Sequence, residues 1–335
     1  MVFTRVIFIS WLPMFLGIVT LLGLMPGPTL SLGRAEEPEE PARRWEFSVR
    51  PFAWFSSART DFSIGGPGGM PNILSELQFS NLRSYQAGLS AEAVYRETVI
   101  IRISGQFGTV EDGQFLDNDY LGNNRTLLLS ETISQVAGVS SWSVIGDVGW
   151  RLGMWAVVPA APRSFFDLFV GWQHWEERYD ADSTVRTQDP FGLFGVGPLA
   201  QQGLAITEQF TWDGLRVGVR GLLGLHRYVA LEGEVNWIPW TRLQFTDTHW
   251  LRTDLAKDPS VEATAAGGGG FQFLAGIRIP VSTTWSVAAG YQMWSIESSD
   301  SNLRFYLSNG AAIDQPFNGA QSVRQGVYLD VTARF

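Results

Sequence analysis

The chain ends in VRQGVYLDVTARF, residues 323–335, and this stretch decides the fold. Most of its odd positions are apolar, whereas its even positions include Arg324, Asp330 and Arg334. Successive side chains of a β-strand point to opposite faces. The alternation therefore predicts a strand with one face on lipid and the other in a polar interior, as in a transmembrane barrel.

The same alternation recurs upstream, for example at Phe271, Phe273 and Ala275, which share one face. An ordinary soluble β-sandwich would explain any single strand, but ten such strands behind a targeting sequence favour a barrel. The long connections, near 59–73, 111–139, 181–203, 247–268 and 299–320, all fall on one side, which we expect to face the cell exterior. We predict an all-β fold, a ten-stranded antiparallel transmembrane β-barrel, with strands near 44–58, 74–95, 98–110, 140–153, 165–180, 204–225, 228–246, 269–280, 284–298 and 321–335.

The N-terminus has the pattern of a secretory signal. Arg5 precedes an apolar run over residues 6–24, and small residues at Gly33 and Ala35 suit a cleavage site. A single transmembrane anchor is the alternative, which Pro13 disfavours. We predict a signal peptide at 1–35, a flexible acidic segment at 36–43 and the barrel at 44–335. After residue 24 no run approaches the ~20 apolar residues of a spanning helix.

Composition excludes several classes of function. The chain has 24 Lys+Arg against 33 Asp+Glu, a net charge of −9, which argues against a nucleic-acid partner. It has no cysteine, which rules out disulfides and thiolate metal sites. We expect no metal and no cofactor, and the 14 Trp and 22 Phe suit the aromatic girdles of a barrel.

Charges of both signs occupy the inward positions of the predicted strands. A ten-stranded barrel has little interior room beyond its side chains and some water. We therefore expect these charges to pair and fill the lumen, which argues against a wide diffusion pore. They are Arg102, Asp147, Arg151, Asp167, Arg216, Arg220, Glu232, Glu234, Arg278, Arg324, Asp330 and Arg334.

Two short motifs carry residues suited to chemistry. In Asp247-Thr248-His249 the aspartate and histidine share a side of an extended chain, so Asp247 can orient His249 as a base. Asp117-Asn118-Asp119, placed in a long loop, offers two carboxylates that can hold a water or share a proton. Counted from Val235, Asp247 and His249 fall on the outward register unless Pro239 or the loop shifts it.

The other two histidines invite ordinary explanations. His226 falls in a predicted short turn, and we interpret it as a turn residue. His174 lies between Trp172 and Trp175 near the rim of a strand, where packing at the membrane interface is the expected role.

These motifs resemble those of the omptins, outer-membrane endopeptidases with ten-stranded barrels. Asp117-Asn118-Asp119-Tyr120 resembles their Asp-x-Asp-aromatic motif, and Asp247-Thr248-His249-Trp250 their Asp-x-His-aromatic motif. Residues 75–79 and 171–179 resemble two further strand segments, so the resemblance covers the mature chain. It implies an aspartic-type endopeptidase in which an Asp–His dyad and an Asp pair, namely Asp117, Asp119, Asp247 and His249, activate a water.

The resemblance also implies binding sites and partners. Omptins favour basic residues beside the cut, and Asp61 and Glu131 lie near expected pocket acids, although Phe245 replaces another. Glu177 and Arg178 partly match the lipopolysaccharide-binding cluster, and activity is expected to depend on that lipid. The expected partners are a peptide or protein substrate, outer-membrane lipid, and the barrel assembly machinery, whose terminal signal Phe335 resembles. The implied location is the outer membrane, with the active-site loops extracellular.

Two other functions remain open at this point. A catalytically silent barrel of the same fold could serve adhesion or structure without needing any of the four site residues. A small pore would need an unobstructed lumen, which the inward charges argue against.

Overall fold

A computed structural model describes residues 45–136, 139–200 and 202–335. The proposed signal peptide (1–35) and acidic segment (36–43) lie outside these residues. The described part contains fourteen strands and two short 3₁₀ turns, Pro67–Gly69 and Asn123–Arg125. None of the helical segments described is both long and apolar enough to cross a membrane. The strands are β1 Trp45–Ile64, β2 Ser75–Tyr95, β3 Val99–Gly122, β4 Thr126–Val136, β5 Val139–Trp155, β6 Ser164–Gln188, β7 Gly197–Pro198, β8 Ile206–His226, β9 Val229–His249, β10 Val261–Ala266, β11 Gly268–Pro280, β12 Trp285–Ser298, β13 Ser301–Tyr306 and β14 Ala312–Arg334.

Ten of these strands form a closed antiparallel ring. The order is β1-β2-β3-β5-β6-β8-β9-β11-β12-β14, and β14 pairs back onto β1. Further from the start of β1 and the end of β14, β4 replaces β5, while β10 and β13 replace β11 and β12, so the ring continues upward with the same number of strands. The predicted ten-stranded barrel is confirmed.

An apolar belt surrounds the half of the barrel that contains the start of β1 and the end of β14. On β3, Ile103 and Phe107 are 59% and 64% exposed on the outer face, whereas Arg102 and Gln106, which immediately precede them, are buried. On β9 the last large hydrophobic side chain exposed on the outer face is Trp237. Beyond these residues the outer face turns polar, with exposed side chains such as Gln244. The belt marks the membrane-spanning zone, and the upper segments of β3 and β9 lie outside it.

Paired charges fill the lumen at the level of the belt. Arg102 lies 2.6 Å from both Asp147 and Glu234, and Arg216 contacts the same two acids at 3.3 and 2.8 Å. Such pairing compensates charges that would be costly to bury alone. The predicted internal network is confirmed, with Arg334 exposed at the end of β14. Its other pairs are Arg151–Asp167, Arg220–Asp167, Arg220–Glu92, Arg278–Glu232, Arg278–Asp330 and Arg324–Glu177.

A layer of aromatic side chains covers this network. Ring centroids within the layer lie 4.5 to 6.4 Å apart, in stacked, tilted and edge-on contacts. Each ring is at most 4% exposed. We call this layer the aromatic floor, because the candidate site lies directly above it on β3 and β9. Its members are Phe62, Phe79, Phe115, Tyr179, Phe210, Phe245 and Phe317.

The predicted loops were too long. The span 111–139, predicted as a loop, holds the upper half of β3 and all of β4, while β6 continues to Gln188 and β14 begins at Ala312. The strands continue above the membrane, where both faces of the wall tolerate polar residues. The alternation of apolar and polar residues therefore fades there although the backbone pairing does not.

Candidate active site

The four residues of the two motifs lie on strands on opposite sides of the ring. Asp117 and Asp119 belong to the upper part of β3, not to a loop as predicted. Asp247 and His249 end β9. Each residue must point inward for the two pairs to meet, and both strands meet this requirement through a local irregularity.

On β9 the irregularity lies at Pro239. Trp237 pairs with Val217 and Trp240 with Leu215, so β9 carries one residue more than β8 over this interval. Such a β-bulge shifts every later side chain to the other face, and proline fits it because proline donates no backbone hydrogen bond. Residues that point inward therefore have even numbers before the bulge and odd numbers after it. The buried residues that follow this rule are Asn236, Ile238, Thr241, Leu243, Phe245 and Asp247.

On β3 the corresponding irregularity lies at Glu111. Val110 pairs with Ser84 and Asp112 with Arg83, which leaves Glu111 as the extra residue. Both Val110 and Phe115 are buried in the interior, although an uninterrupted strand would place them on opposite faces. The bulge turns the odd positions inward, and Asp117 and Asp119 follow.

Cysteine labelling can test the inversion on β9, because the chain has no cysteine of its own. Leu243 is fully buried, whereas Gln244 is exposed on the outer face. A water-soluble maleimide is therefore expected to label Gln244→Cys quickly and Leu243→Cys slowly in the folded barrel. Uninterrupted alternation from Val235 demands the reverse order, so faster labelling of Leu243→Cys would contradict the bulge.

Asp247 and His249 form a hydrogen-bonded dyad. His249 Nε2 lies 2.9 Å from Asp247 Oδ2, and Asp247 is only 4% exposed. The backbone N–H of His249 donates to Ser260 Oγ at 2.9 Å, which holds the end of the strand. Burial alone would lower the pKa of His249, but the charge and hydrogen bond of Asp247 outweigh it and raise that pKa above 6.5.

Two serines hold the facing carboxyl pair. Ser75 Oγ donates to Asp117 at 2.8 Å, and Ser130 Oγ donates to Asp119 at 3.0 Å. Burial, and then the charge of Asp119, raise the pKa of Asp117 to about 7. Burial also raises the pKa of Asp119. The pair therefore retains a proton close to neutral pH, as expected of two carboxyl groups that share a site.

The two pairs act on each other across the barrel mouth. His249 lowers the pKa of Asp117, whereas Asp247 raises it, and Asp117 in turn raises the pKa of His249. Arg252, just beyond the dyad, is within electrostatic reach of both Asp119 and Asp247, although its raised pKa is due mainly to its hydrogen bond to Asp254. The structure thus brings all four predicted residues to one space above the aromatic floor. In the described part of the chain, no group of His, Asp and Glu is arranged to hold a metal ion.

Comparison with known proteins places this barrel in a family. The profile described as Pom, Protochlamydia outer membrane protein, matches residues 52–335. The chain belongs to the Protochlamydia outer membrane protein family. A search of curated proteins finds no match.

The fold of this family member is similar to that of a solved structure. The outer membrane protease OmpT from Escherichia coli superposes with a TM-score of 0.72 at 12% identity, over 87% of this chain and 97% of that one. The translocator domain of the autotransporter NalP from Neisseria meningitidis also matches, at 12% identity over 86% and 88% of the two chains, with a TM-score of 0.33. The protein is an outer-membrane β-barrel with the fold of OmpT.

In this Pom family member the two expected pocket acids, Asp61 and Glu131, point away from the candidate active site. Asp61 lies on the outer face of β1, between the inward residues Thr60 and Phe62, and pairs with Arg59 at 2.7 Å. Glu131 is the outward neighbour of Ser130 on β4 and accepts a hydrogen bond from Thr187. Neither residue has the strand parity that points its side chain into the barrel, so neither joins the four residues of the two motifs.

The expected lipid-binding pair divides between the two faces of β6. Glu177 is fully buried in the lumen, where it pairs with Arg324, so its assignment to the lipid-binding surface was wrong. Arg178 points outward, near Asp180 at 3.4 Å. Adjacent residues of a strand face opposite ways, so only one of the two can meet a lipid.

The remaining histidines take other roles. His174 faces outward on β6, pairs with Asp213 at 2.9 Å and packs against Trp142 at 4.7 Å between ring centroids. His226 ends β8 and accepts a hydrogen bond from the backbone N–H of Tyr228 at 3.4 Å. Neither lies beside the dyad.

Sequence reasoning missed one acid that lies beside the dyad. Glu208 on β8 is the direct strand partner of Asp247 and is fully buried. Leu215 and Val217 on this strand alternate with Arg216 and Gly218, which turns even positions inward, so continuing the pattern for a few residues would have revealed Glu208. Its neighbours Phe210 and Trp212 offered no motif to draw attention to it.

Proposed function

We propose that this protein is an outer-membrane endopeptidase that hydrolyses peptide bonds with an activated water. The observation that carries the proposal is the Asp247–His249 dyad, joined at 2.9 Å, facing the Asp117–Asp119 pair within electrostatic reach. A half-buried base with its buried orienting acid, opposite a carboxyl pair that retains a proton, supplies both a proton acceptor and a proton donor.

The roles of the four residues follow from their contacts. With Nε2 held by Asp247, the Nδ1 nitrogen of His249 would take a proton from water as the water oxygen attacks the peptide carbonyl carbon. The proton retained by Asp117 and Asp119 would hydrogen-bond the developing oxyanion. The carbon–nitrogen bond then breaks, and the imidazolium returns its proton to the leaving amine. The hydroxyl group of the water thus ends in the new carboxyl group and its proton on the new amine. No covalent intermediate with the protein forms.

The orientation of the barrel is part of the proposal. Phe47 and Phe335 exchange backbone hydrogen bonds at 2.9 and 3.3 Å at the end of the barrel where β1 begins and β14 ends. Outer-membrane barrels keep their short turns in the periplasm, so the candidate site would open to the exterior. Lipopolysaccharide would contact the outward face that includes Arg178. Phe335 would serve the assembly machinery.

A peptide library tests the proposed activity. Full-length protein, refolded with lipopolysaccharide and checked for the folded form by gel migration, is expected to cleave unstructured peptides. Mass spectrometry should show ordinary hydrolysis, with water added at one bond. If the folded wild type cuts nothing in a broad library, a catalytically silent barrel with an adhesive or structural role becomes the better explanation.

The pH profile of cleavage should be bell-shaped. Neutral His249 is the base, and its raised pKa means that activity is lost as the pH falls towards a midpoint above 6.5. The retained proton of Asp117, whose pKa is about 7, is lost as the pH rises, and activity should fall with it. Asp117→Asn keeps a neutral donor and should abolish the alkaline fall. A wild-type profile without an acid limb would contradict His249 as the base.

A further inference from the structure

Glu208 is a buried carboxyl group next to Asp247 of the candidate dyad. It lies on β8 opposite Asp247 on β9, and its side chain is 0% exposed. Along β8 it is flanked on the inner face by Ile206 and Phe210, both buried. The site therefore contains a fourth acid, on the same side as Asp247 and flanked by apolar residues.

Glu208 lacks a partner for its charge. Within residues 45–136, 139–200 and 202–335, neither of its carboxyl oxygens has a hydrogen-bond partner, and it forms no ion pair. On the β6 side its strand partner is Tyr179, whose hydroxyl donates to Glu177 instead. The charged groups that face it are Asp247 and, across the barrel, Asp117. These repel a carboxylate.

Energetics favour the neutral form of Glu208. An ionised carboxylate buried without a partner is strongly unfavourable, and such a group takes up a proton instead. Burial, with the charges of Asp247 and Asp117, raises the pKa of Glu208 well above 4.5. A protonated carboxyl group gains one O–H donor.

Asp247 offers the matching acceptor. Its Oδ2 binds His249, whereas its Oδ1 is buried without a hydrogen-bond partner in the described chain. The two side chains lie on adjacent strands in direct register and both point inward, so a small rotation of Glu208 joins them. One proton then satisfies two buried groups that are otherwise unpaired.

We propose that Glu208 remains protonated and donates a hydrogen bond to Oδ1 of Asp247, which makes it the positioning residue of a Glu208–Asp247–His249 chain. The bond fixes the carboxylate plane of Asp247, so that Oδ2 stays directed at His249. It also withdraws charge from Asp247 and limits how strongly Asp247 holds His249 in the protonated form. The effect on turnover rests on the proposed function, whereas the protonation of Glu208 does not.

Spectroscopy tests the protonation without requiring activity. Infrared spectra of the folded full chain at neutral pH should contain a protonated carboxyl band that Glu208→Gln removes. Asp117→Asn serves as the matched control, because Asp117 is the other site acid that retains a proton, and the Glu208 band should persist in it. A band unchanged by Glu208→Gln overturns the proposal.

Titration of the histidine signals tests the link to the dyad. The chain has three histidines, so histidine-labelled protein gives a simple NMR spectrum in which His249→Ala identifies the site signal. Glu208→Gln, which keeps a neutral donor, should leave the pKa of His249 unchanged. Glu208→Leu removes the donor and should raise it. If Glu208 were ionised, Glu208→Gln would instead lower the pKa of His249 because a negative charge disappears, and that result overturns the proposal.

Kinetics complete the test. Glu208→Leu should lower kcat about tenfold or more, the usual value of a hydrogen bond to a charged group, with KM little changed. Glu208→Gln should retain most of the wild-type kcat. If the leucine variant fails to fold, the glutamine variant and the infrared band still decide the matter. A wild type without activity would refute the proposed function alone, and a normal kcat in folded Glu208→Leu would refute the positioning role alone.

Discussion

Replacing His249 by alanine is expected to lower kcat for peptide hydrolysis by about 10²- to 10⁴-fold, the usual contribution of a general base. His249 is the only candidate base joined to a buried acid in the described site, with Asp247 at 2.9 Å. The fold should survive, because the side chain is partly exposed at the end of β9 and lies outside the ion-pair network and the aromatic floor. Initial rates on a library-selected peptide provide the measurement.

His174 provides the matched control for this substitution. It also pairs with an aspartate at 2.9 Å, Asp213, but on the outer wall of the barrel. His174→Ala should therefore leave kcat close to the wild-type value. Equal losses in the two variants would point to a general effect on the barrel, and full activity in folded His249→Ala would mean that another group is the base.

Replacing Arg324 by methionine should lower the free energy of unfolding by about 3–5 kcal/mol, the usual cost of leaving one member of a buried ion pair alone. Arg324 and Glu177 are both 0% exposed, and Arg324 also donates to Ser56 and Ser84. Its loss leaves the Glu177 carboxylate without a cation inside the lumen. Urea unfolding in lipid vesicles, monitored by tryptophan fluorescence, measures this free energy of unfolding.

Two further variants separate this cost from a general effect of losing an arginine. Arg304 forms an exposed pair with Asp314 at 2.8 Å, so Arg304→Met should change stability by less than about 1 kcal/mol. Adding Glu177→Leu to Arg324→Met removes the stranded charge and should recover much of the loss. A stability loss in Arg324→Met no larger than in Arg304→Met would contradict the structural role of the buried pair.

The membrane-embedded half of the barrel was predictable because lipid imposes a strict pattern. Alternation such as that of residues 323–335 is required where one face meets lipid and the other a polar lumen. The inward charges, for example Arg102 and Asp147, could be assigned for the same reason, and their pairing followed from the cost of burying them singly. Above the belt this constraint ends, and the predicted loops there proved to be strands.

The site was predictable as a set of residues but not as a geometry. The motifs at Asp117 and Asp247 were visible as short patterns, whereas their inward direction depends on the bulges at Glu111 and Pro239. A bulge is one extra residue and leaves little trace in composition. Glu208 was missed because it belongs to no motif on β8. Its importance comes from Asp247, its partner on the neighbouring strand β9.

The two bulges also restrict how this barrel can change during evolution. An insertion or deletion of one residue between Trp237 and Asp247 would turn the dyad out of the barrel, although every residue of the motif would still be present. Two residues gained or lost together would merely raise or lower the site. Relatives of this chain can therefore keep both motifs and yet lose the site, and the odd or even number of intervening residues would distinguish the two groups.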